Sequence, residues 1–347
     1  MSPPGGNIRL SELIVSAQKA RMLPLTMSAG SSVASEPDTL LSIDFTHRSI
    51  DIGATLSWFL RGSHDPTTWL TTVGRGSSVT GHFVRATVTP DGPGTLCLRW
   101  NQNDVSVETY GPGSTWVRRQ AWHMVGAEDS ADHGLEASEH QLVAAVARAN
   151  RSLRIGASHN LYHELLPTVI EQRITVKEAR RQWQQLCLTL GKPAPGPYTR
   201  LMLPPDPTVL ANCPSWRFHA LGIERKRAES LIDIARHASK LWEWTALDKV
   251  AVKNKIGRLR GVGDWTVGSV LGPAVGDPDA VAVGDFHLKN LIAYNLAGEP
   301  RGTDDRMLEL LEPYRGQRGR VIRHIARSGT PIPKFGAKRR IMAMRNW

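Results

Sequence analysis

The sequence predicts an α+β fold, with a small antiparallel-sheet domain followed by an all-helical domain. Three observations predict it. Between about residues 39 and 125, short apolar runs alternate with glycine- and proline-rich turns, which is the pattern of strands. From about Ser138 to Ser328 the apolar residues fall at helical spacing in many short segments, several opened by capping residues. The chain has 347 residues, 41% hydrophobic and 22% charged, enough for two or three domains around a substantial core.

Residues 1–37 are rich in Pro, Gly, Ser and Ala and are expected to form a poorly ordered extension, weakly helical near Ser11–Arg21. The sheet domain is expected over 38–135. Its strands are predicted near Leu40–Phe45, Thr67–Val73, His82–Val88, Thr95–Trp100 and Val105–Tyr110, with a short helix at Ile52–Arg61. Pro90-Asp91-Gly92-Pro93-Gly94 is the turn of a hairpin. The helical domain is expected over 136–330, with helices at 141–150, 162–172, 175–190, 224–241, 248–258, 264–274, 285–297, 304–312 and 319–327. Thr175-Val176-Lys177-Glu178 is a capping box, and the proline-rich 191–207 is a loop. Residues 331–347 form a basic tail carrying Lys334, Lys338, Arg339, Arg340 and Arg345.

A net charge of +11 makes a polyanion the expected partner, with nucleic acid ahead of an anionic membrane. The three cysteines, Cys97, Cys187 and Cys213, are far apart and form no C-x-x-C pair. That excludes a four-cysteine iron–sulfur cluster or a zinc ribbon built from this chain alone. A sparse, odd count also argues for a reducing compartment. No apolar run is long enough to span a bilayer and no secretion signal is read, so a cytoplasmic location is expected.

The most informative stretch is Leu259–Asn290. It opens with the turn Leu259-Arg260-Gly261-Val262-Gly263 between two predicted helices. Asp264 stands where the second helix would be capped, followed by Trp265 and Thr266. Glycines let backbone N–H groups approach a phosphate without side-chain obstruction, so Gly261, Val262, Gly263 and Thr266 are candidate DNA contacts. A monovalent cation held by the backbone of Leu259 and Gly261 can assist such a turn. Further on, Gly284-Asp285 precedes another predicted helix, where an aspartate is either a plain cap or a catalytic carboxylate.

The segment Leu221–Asn290 resembles the helix–hairpin–helix DNA glycosylase superfamily, in its 3-methyladenine DNA glycosylase II branch. The matching pieces are Ala220-Leu221-Gly222-Ile223, Lys226–Leu231, the hairpin Leu259–Thr266, and Gly284-Asp285. Ile170-Glu171-Gln172-Arg173 is similar to the helix end that probes the lesion. Leu311–Arg315 and Val321–Ile325 resemble the closing pair of helices. The likeness is strongest over 220–290 and loosest before 135.

The resemblance implies a monofunctional enzyme of base excision repair that hydrolyses the N-glycosidic bond of flipped-out alkylated purines. Asp285, twenty residues after Trp265, occupies the position of the aspartate that stabilises the oxocarbenium-like sugar, and a helix N-terminus is expected to keep it ionised. Water is the nucleophile, because no lysine follows the hairpin, and lyase activity is not expected. Trp265, Gln172, Tyr162 and Ser269 are candidate pocket residues, and Arg173 and Lys289 are further candidate DNA contacts. Arg173 departs from the apolar wedge usual in the branch, and His324-Ile325-Ala326 lacks an aromatic found in some relatives. Double-stranded DNA is the expected partner, the chain is expected to act as a monomer, and no cofactor beyond the hairpin cation is implied. The alternatives are a non-catalytic DNA-binding or damage-sensing protein on the same scaffold, or a glycosylase for another lesion.

Overall fold

Five strands form one antiparallel sheet: β1 (Thr39–Asp44), β2 (Thr68–Val73), β3 (Thr80–Thr89), β4 (Gly92–Trp100) and β5 (Asp104–Tyr110), in the order β1-β5-β4-β3-β2. The architecture comes from a computed structural model. It describes residues 39–44, 50–74, 79–101, 104–130 and 133–332. The expected extension and almost all of the expected basic tail lie outside the described residues.

β3 and β4 join through the two-residue turn Pro90-Asp91, since Thr89 pairs directly with Gly92. The turn is thus shorter than predicted, and Gly92 to Gly94 begin β4. Gly92 takes φ +109°, a backbone setting open to glycine. Before β2 come α1 (Ile52–Leu56), capped by Asp51, and a 3₁₀ turn at Ser57–Phe59. Two helices escape the sequence reading, and one of them is α2 (Ser114–Met124). Val117, Ala121 and Met124 on α2 bury against Phe83, Leu96, Leu98 and Val107 of the sheet, closing the first core.

The helical half follows in the predicted order: α3 (Gln141–Ala149), α4 (Leu161–Glu171), α5 (Val176–Leu190), α6 (Pro207–Ala211), α7 (Arg225–Arg236), α8 (Ala238–Trp244), α9 (Lys249–Ile256), α10 (Asp264–Val275), α11 (Leu288–Ala297), α12 (Asp304–Leu311) and α13 (Arg318–Ser328). Two differences are physical. The expected helix 224–241 breaks at His237, giving α7 and α8. At the end of the expected loop 191–207 comes the other unpredicted helix, α6, capped by Asp206 with Pro207 in its first turn.

The helices enclose two cores. One gathers Leu165, Val169, Trp183, Leu186, Leu231, Val252, Val267 and Val270. The other gathers Val143, Leu288, Ile292, Met307, Leu311, Val321 and Ile325. Helix α10 lies on the seam of these two helical cores, because Val267 and Val270 enter the one around Trp183 while Trp265 packs against the one around Ile292.

Arginines fasten the sheet to the helices. Arg85 of β3 reaches Glu164 of α4 at 2.6 Å, and Arg61 reaches the same carboxylate at 3.3 Å. Arg323 of α13 donates to the carbonyls of Ala54, Thr55 and Arg154 and lies 4.1 Å from the Trp58 ring centroid. Its guanidinium faces no carboxylate directly, and burial lowers its pKa to about 9. No helix among the described residues is long and apolar enough to cross a membrane.

Candidate active site

Helix α9 is capped by Asp248, whose side chain accepts the Ala251 N–H at 2.9 Å, and it runs out at Gly257. The turn then tightens through Leu259 N–H to the Ile256 carbonyl at 3.0 Å and Val262 N–H to the Leu259 carbonyl at 3.1 Å. Leu259 and Val262 point inward and are buried, so the residues between and beyond them face out. Arg260 is tied back to α7 by its backbone N–H to Asp233 and its guanidinium to Glu229.

Gly261 holds φ +73°, and a Cβ placed there would lie 2.1 Å from Ser230 Oγ. Gly263 is extended at φ −95°, ψ −177°, and a Cβ there would meet nothing within 4 Å. The two glycines thus serve different ends. The first is required by the fold, and the second leaves an open approach. Both are exposed, and no described residue accepts a hydrogen bond from either N–H. Helix α10 begins at Asp264 with Gly263 as its cap and no side-chain cap bond, which corrects the expectation that Asp264 caps it. The exposed start of α10 therefore presents backbone donors to solvent.

Asp285 sits beyond α10, at the end of the Val281–Val283 segment. It is fully buried. Its Oδ1 accepts the N–H groups of His287 and Leu288, both at 2.9 Å, and its Oδ2 accepts Trp265 Nε1 at 3.2 Å. The helix expected from Asp285 starts at Leu288, yet its first N–H groups still converge on this carboxylate. Burial pushes the Asp285 pKa up, against the Leu288 and His287 N–H groups and the Trp265 indole, which pull it down. The donors expected from a helix N-terminus are present and favour the carboxylate, while burial opposes it and leaves the pKa above the ordinary aspartate value.

Trp265 is half-buried and braces the carboxylate. Thr266, next to it, is buried and accepts Gln172 Nε2 at 2.8 Å; the same amide donates to the Gly261 carbonyl at 2.9 Å. Gln172 therefore links the end of α4 to the hairpin. Arg173 follows it in the left-handed region at φ +61°, exposed. A non-glycine residue in that setting is strained.

The remaining candidates fall elsewhere. Tyr162 is a correction: it is fully buried inside α4, its hydroxyl donating to the Pro205 carbonyl at 2.8 Å and its ring 6.0 Å from Trp242, so it is core and not pocket wall. Ser269 donates to the Trp265 carbonyl one turn back, at 2.7 Å. Lys289 pairs with Asp304 at 3.0 Å, and Asp304 also accepts the Gly284 N–H. His324 is buried among Arg320, Arg323 and His133, and burial lowers its pKa to about 3.

Sequence reasoning quoted Glu171 only as part of Ile170–Arg173. It is the last residue of α4, buried, 3.6 Å from Arg61 and next to Gln172.

No family model matches the chain. A curated relative, "Putative DNA-3-methyladenine glycosylase YfjP" of Bacillus subtilis (strain 168), is 22% identical over 194 residues, 54% of this chain. The match spans 66% of that relative's length. Among solved structures, a 3-methyladenine DNA-glycosylase from Archaeoglobus fulgidus superposes with TM-score 0.67 at 15% identity, over 83% of this chain and 97% of that one. The apo form of a Clostridium acetobutylicum 8-oxoguanine glycosylase/lyase superposes with TM-score 0.59 at 12% identity, over 85% and 98%. The fold is that of the helix–hairpin–helix DNA glycosylases.

Proposed function

We propose that this chain is a monofunctional DNA glycosylase of base excision repair, of the 3-methyladenine glycosylase II type, acting on alkylated purines in double-stranded DNA. One observation carries the reading: an exposed glycine hairpin and a buried carboxylate are joined by adjacent residues, Trp265 on Asp285 and Thr266 on Gln172. The relative's printed name and the fold support it.

The hairpin N–H groups and the start of α10 receive a DNA phosphate, without reading sequence. Leu259 and Gly261 carbonyls each accept one hydrogen bond and keep a second lone pair, which fits a monovalent cation at the turn. The target nucleotide leaves the stack and the exposed Arg173 enters the gap. As the base departs with the bonding pair, positive charge grows on the sugar. Asp285 stabilises it, since no described cation contacts that carboxylate, and water adds to C1′. The three residues after the hairpin, Asp264, Trp265 and Thr266, offer no amine for a Schiff base.

Release of 3-methyladenine and 7-methylguanine from alkylated duplex DNA, by the native chain and by Asp285→Asn, tests the reading. Base release by the native chain and not by the variant is expected. An Asp285→Asn protein of full activity removes Asp285 from the mechanism, and no release by either protein overturns the glycosylase reading for these lesions.

A further inference from the structure

Beside the hairpin lies a basic surface that the site above does not use, and internal contacts hold it in one piece. Gly261 of the hairpin packs against Ser230 of α7, and Ser230 Oγ donates to the Lys226 carbonyl one turn back at 3.0 Å. Lys226 follows the turn at Gly222, whose carbonyl accepts Gln182 Nε2 of α5 at 2.6 Å. Arg181 is the neighbour of Gln182, and its guanidinium lies 3.7 Å from where a Cβ on Gly222 would be. Lys177 stands one turn before Arg181 on α5, four residues after Arg173. Arg227, only 3% exposed, pins the segments together from inside. It donates to the Ile170 carbonyl of α4 at 2.7 Å and to Gln182 Oε1 at 3.0 Å.

Lys177, Arg181 and Lys226 are exposed, and no described carboxylate forms an ion pair with any of them. The acids nearby are engaged elsewhere. Glu229 holds Arg225 and Arg260, Glu224 faces Arg227, and Glu178 accepts the Gln182 amide. Lys177 and Lys226 also fall in the first turns of α5 and α7, where a cation opposes the helix dipole. Helix α7 has no acidic residue in that turn and no side-chain cap bond. An anion laid across these residues would relieve both the dipole and the like charges.

We propose that Lys177, Arg181 and Lys226 form a second contact for the DNA phosphate backbone. It supplies affinity for duplex of any sequence, damaged or intact, and takes no part in bond cleavage at Asp285. This inference rests on the glycosylase reading. Continuity decides the occupant, since the contacts run unbroken from Gly261 to Arg181. A duplex seated on the hairpin N–H groups can therefore continue over these side chains. Cations without partners suit that use, because nothing has to be surrendered when a phosphate arrives, and each phosphate neutralised releases counterions. Contacts of this kind position the duplex and read no base.

The test uses the full chain and two labelled duplexes, one undamaged and one carrying a tetrahydrofuran abasic analogue, titrated by anisotropy over a range of salt. Lys177→Ala, Arg181→Ala and Lys226→Ala should each lower the slope of log affinity against log salt by about 0.9, equally on both duplexes. Lys192→Ala removes one exposed charge roughly 20 Å away, at the far end of α5, and should leave the slope as it is. In release of 7-methylguanine, the triple alanine variant should raise KM and keep the native kcat. Unchanged slopes in the three variants, an equal change in Lys192→Ala, or a loss in kcat with KM unchanged would each overturn the proposal and leave the glycosylase reading standing. A native chain that binds neither duplex overturns both.

Discussion

Asp285 and Glu164 are both fully buried carboxylates, and they are held in opposite ways. Glu164 meets two guanidiniums, Arg85 at 2.6 Å and Arg61 at 3.3 Å, drawn from the sheet half of the chain. Asp285 meets only neutral donors, two backbone N–H groups and an indole. A carboxylate already matched by cations is a structural fastening, since its field is cancelled locally. One held by dipoles is fixed in place with its charge uncompensated, available to a cation that arrives later. Under the proposed mechanism that cation is the sugar of the transition state.

The comparison predicts that the two residues fail separately. Glu164→Gln leaves Arg61 and Arg85 short of a buried counter-charge and should cost about 3–5 kcal/mol of stability, read by chemical denaturation. Activity per folded molecule should survive below the melting range. Asp285→Asn should do the reverse, lowering base release by about 10²–10³-fold, the scale for losing one preorganised electrostatic group. Its thermal midpoint should not fall, because a carboxylate whose pKa is raised by burial opposes folding at neutral pH. A melting loss in Asp285→Asn equal to that of Glu164→Gln would erase the distinction.

The hairpin offers a milder form of the same contrast between fastening and function. Gly261→Ala forces a side chain into the left-handed region and against Ser230 Oγ, and should cost about 1–2 kcal/mol of stability as well as DNA affinity. Gly263→Ala has room and an ordinary φ, so it should melt normally. It should weaken DNA binding all the same, by placing a methyl group where the phosphate approaches. Fluorescence anisotropy with a labelled duplex, alongside melting curves, separates the two.

Acid exposes the sheet half and the helical half together. Burial lowers the pKa of His82 and His159 to about 4 and of His324 to about 3, each below the ordinary 6.5. Their neutral forms suit the fold, so their contribution is full above pH 6.5 and is lost as pH falls toward 4, where the unfolded chain binds more protons. The melting temperature should drop steadily between pH 6.5 and 4. Replacing His324 by an isosteric neutral residue should flatten that slope.

Those elements differ in how far the sequence revealed them. The hairpin turn and the place of Asp285 before a helix are legible because glycines and a cap-type aspartate mark them locally in the chain. The Arg61–Glu164 pair is not, since 103 residues separate its partners and only the folded chain brings them together. Tyr162 misled for a related reason. Every residue of α4 is buried, so periodicity could not show which side would meet a pocket. The ionisation of Asp285 was half legible: the helix start was readable, whereas the depth of burial that outweighs it was not.

The smallest expected effect tests that last balance directly. Trp265→Phe keeps the ring against the closing helices and removes only the indole N–H on Asp285 Oδ2. That donor lowers the pKa of Asp285, so its loss raises the pKa further. Under the proposed mechanism the working form is the carboxylate, so activity should fall as pH drops through this pKa and the acid limb of the kcat/KM profile should move to higher pH. At neutral pH the loss should be about three- to tenfold, the worth of one hydrogen bond. A profile that keeps its acid limb while falling uniformly would mean that Trp265 acts on the base and not through Asp285. The neutral-donor description of the site would then hold for two backbone N–H groups alone.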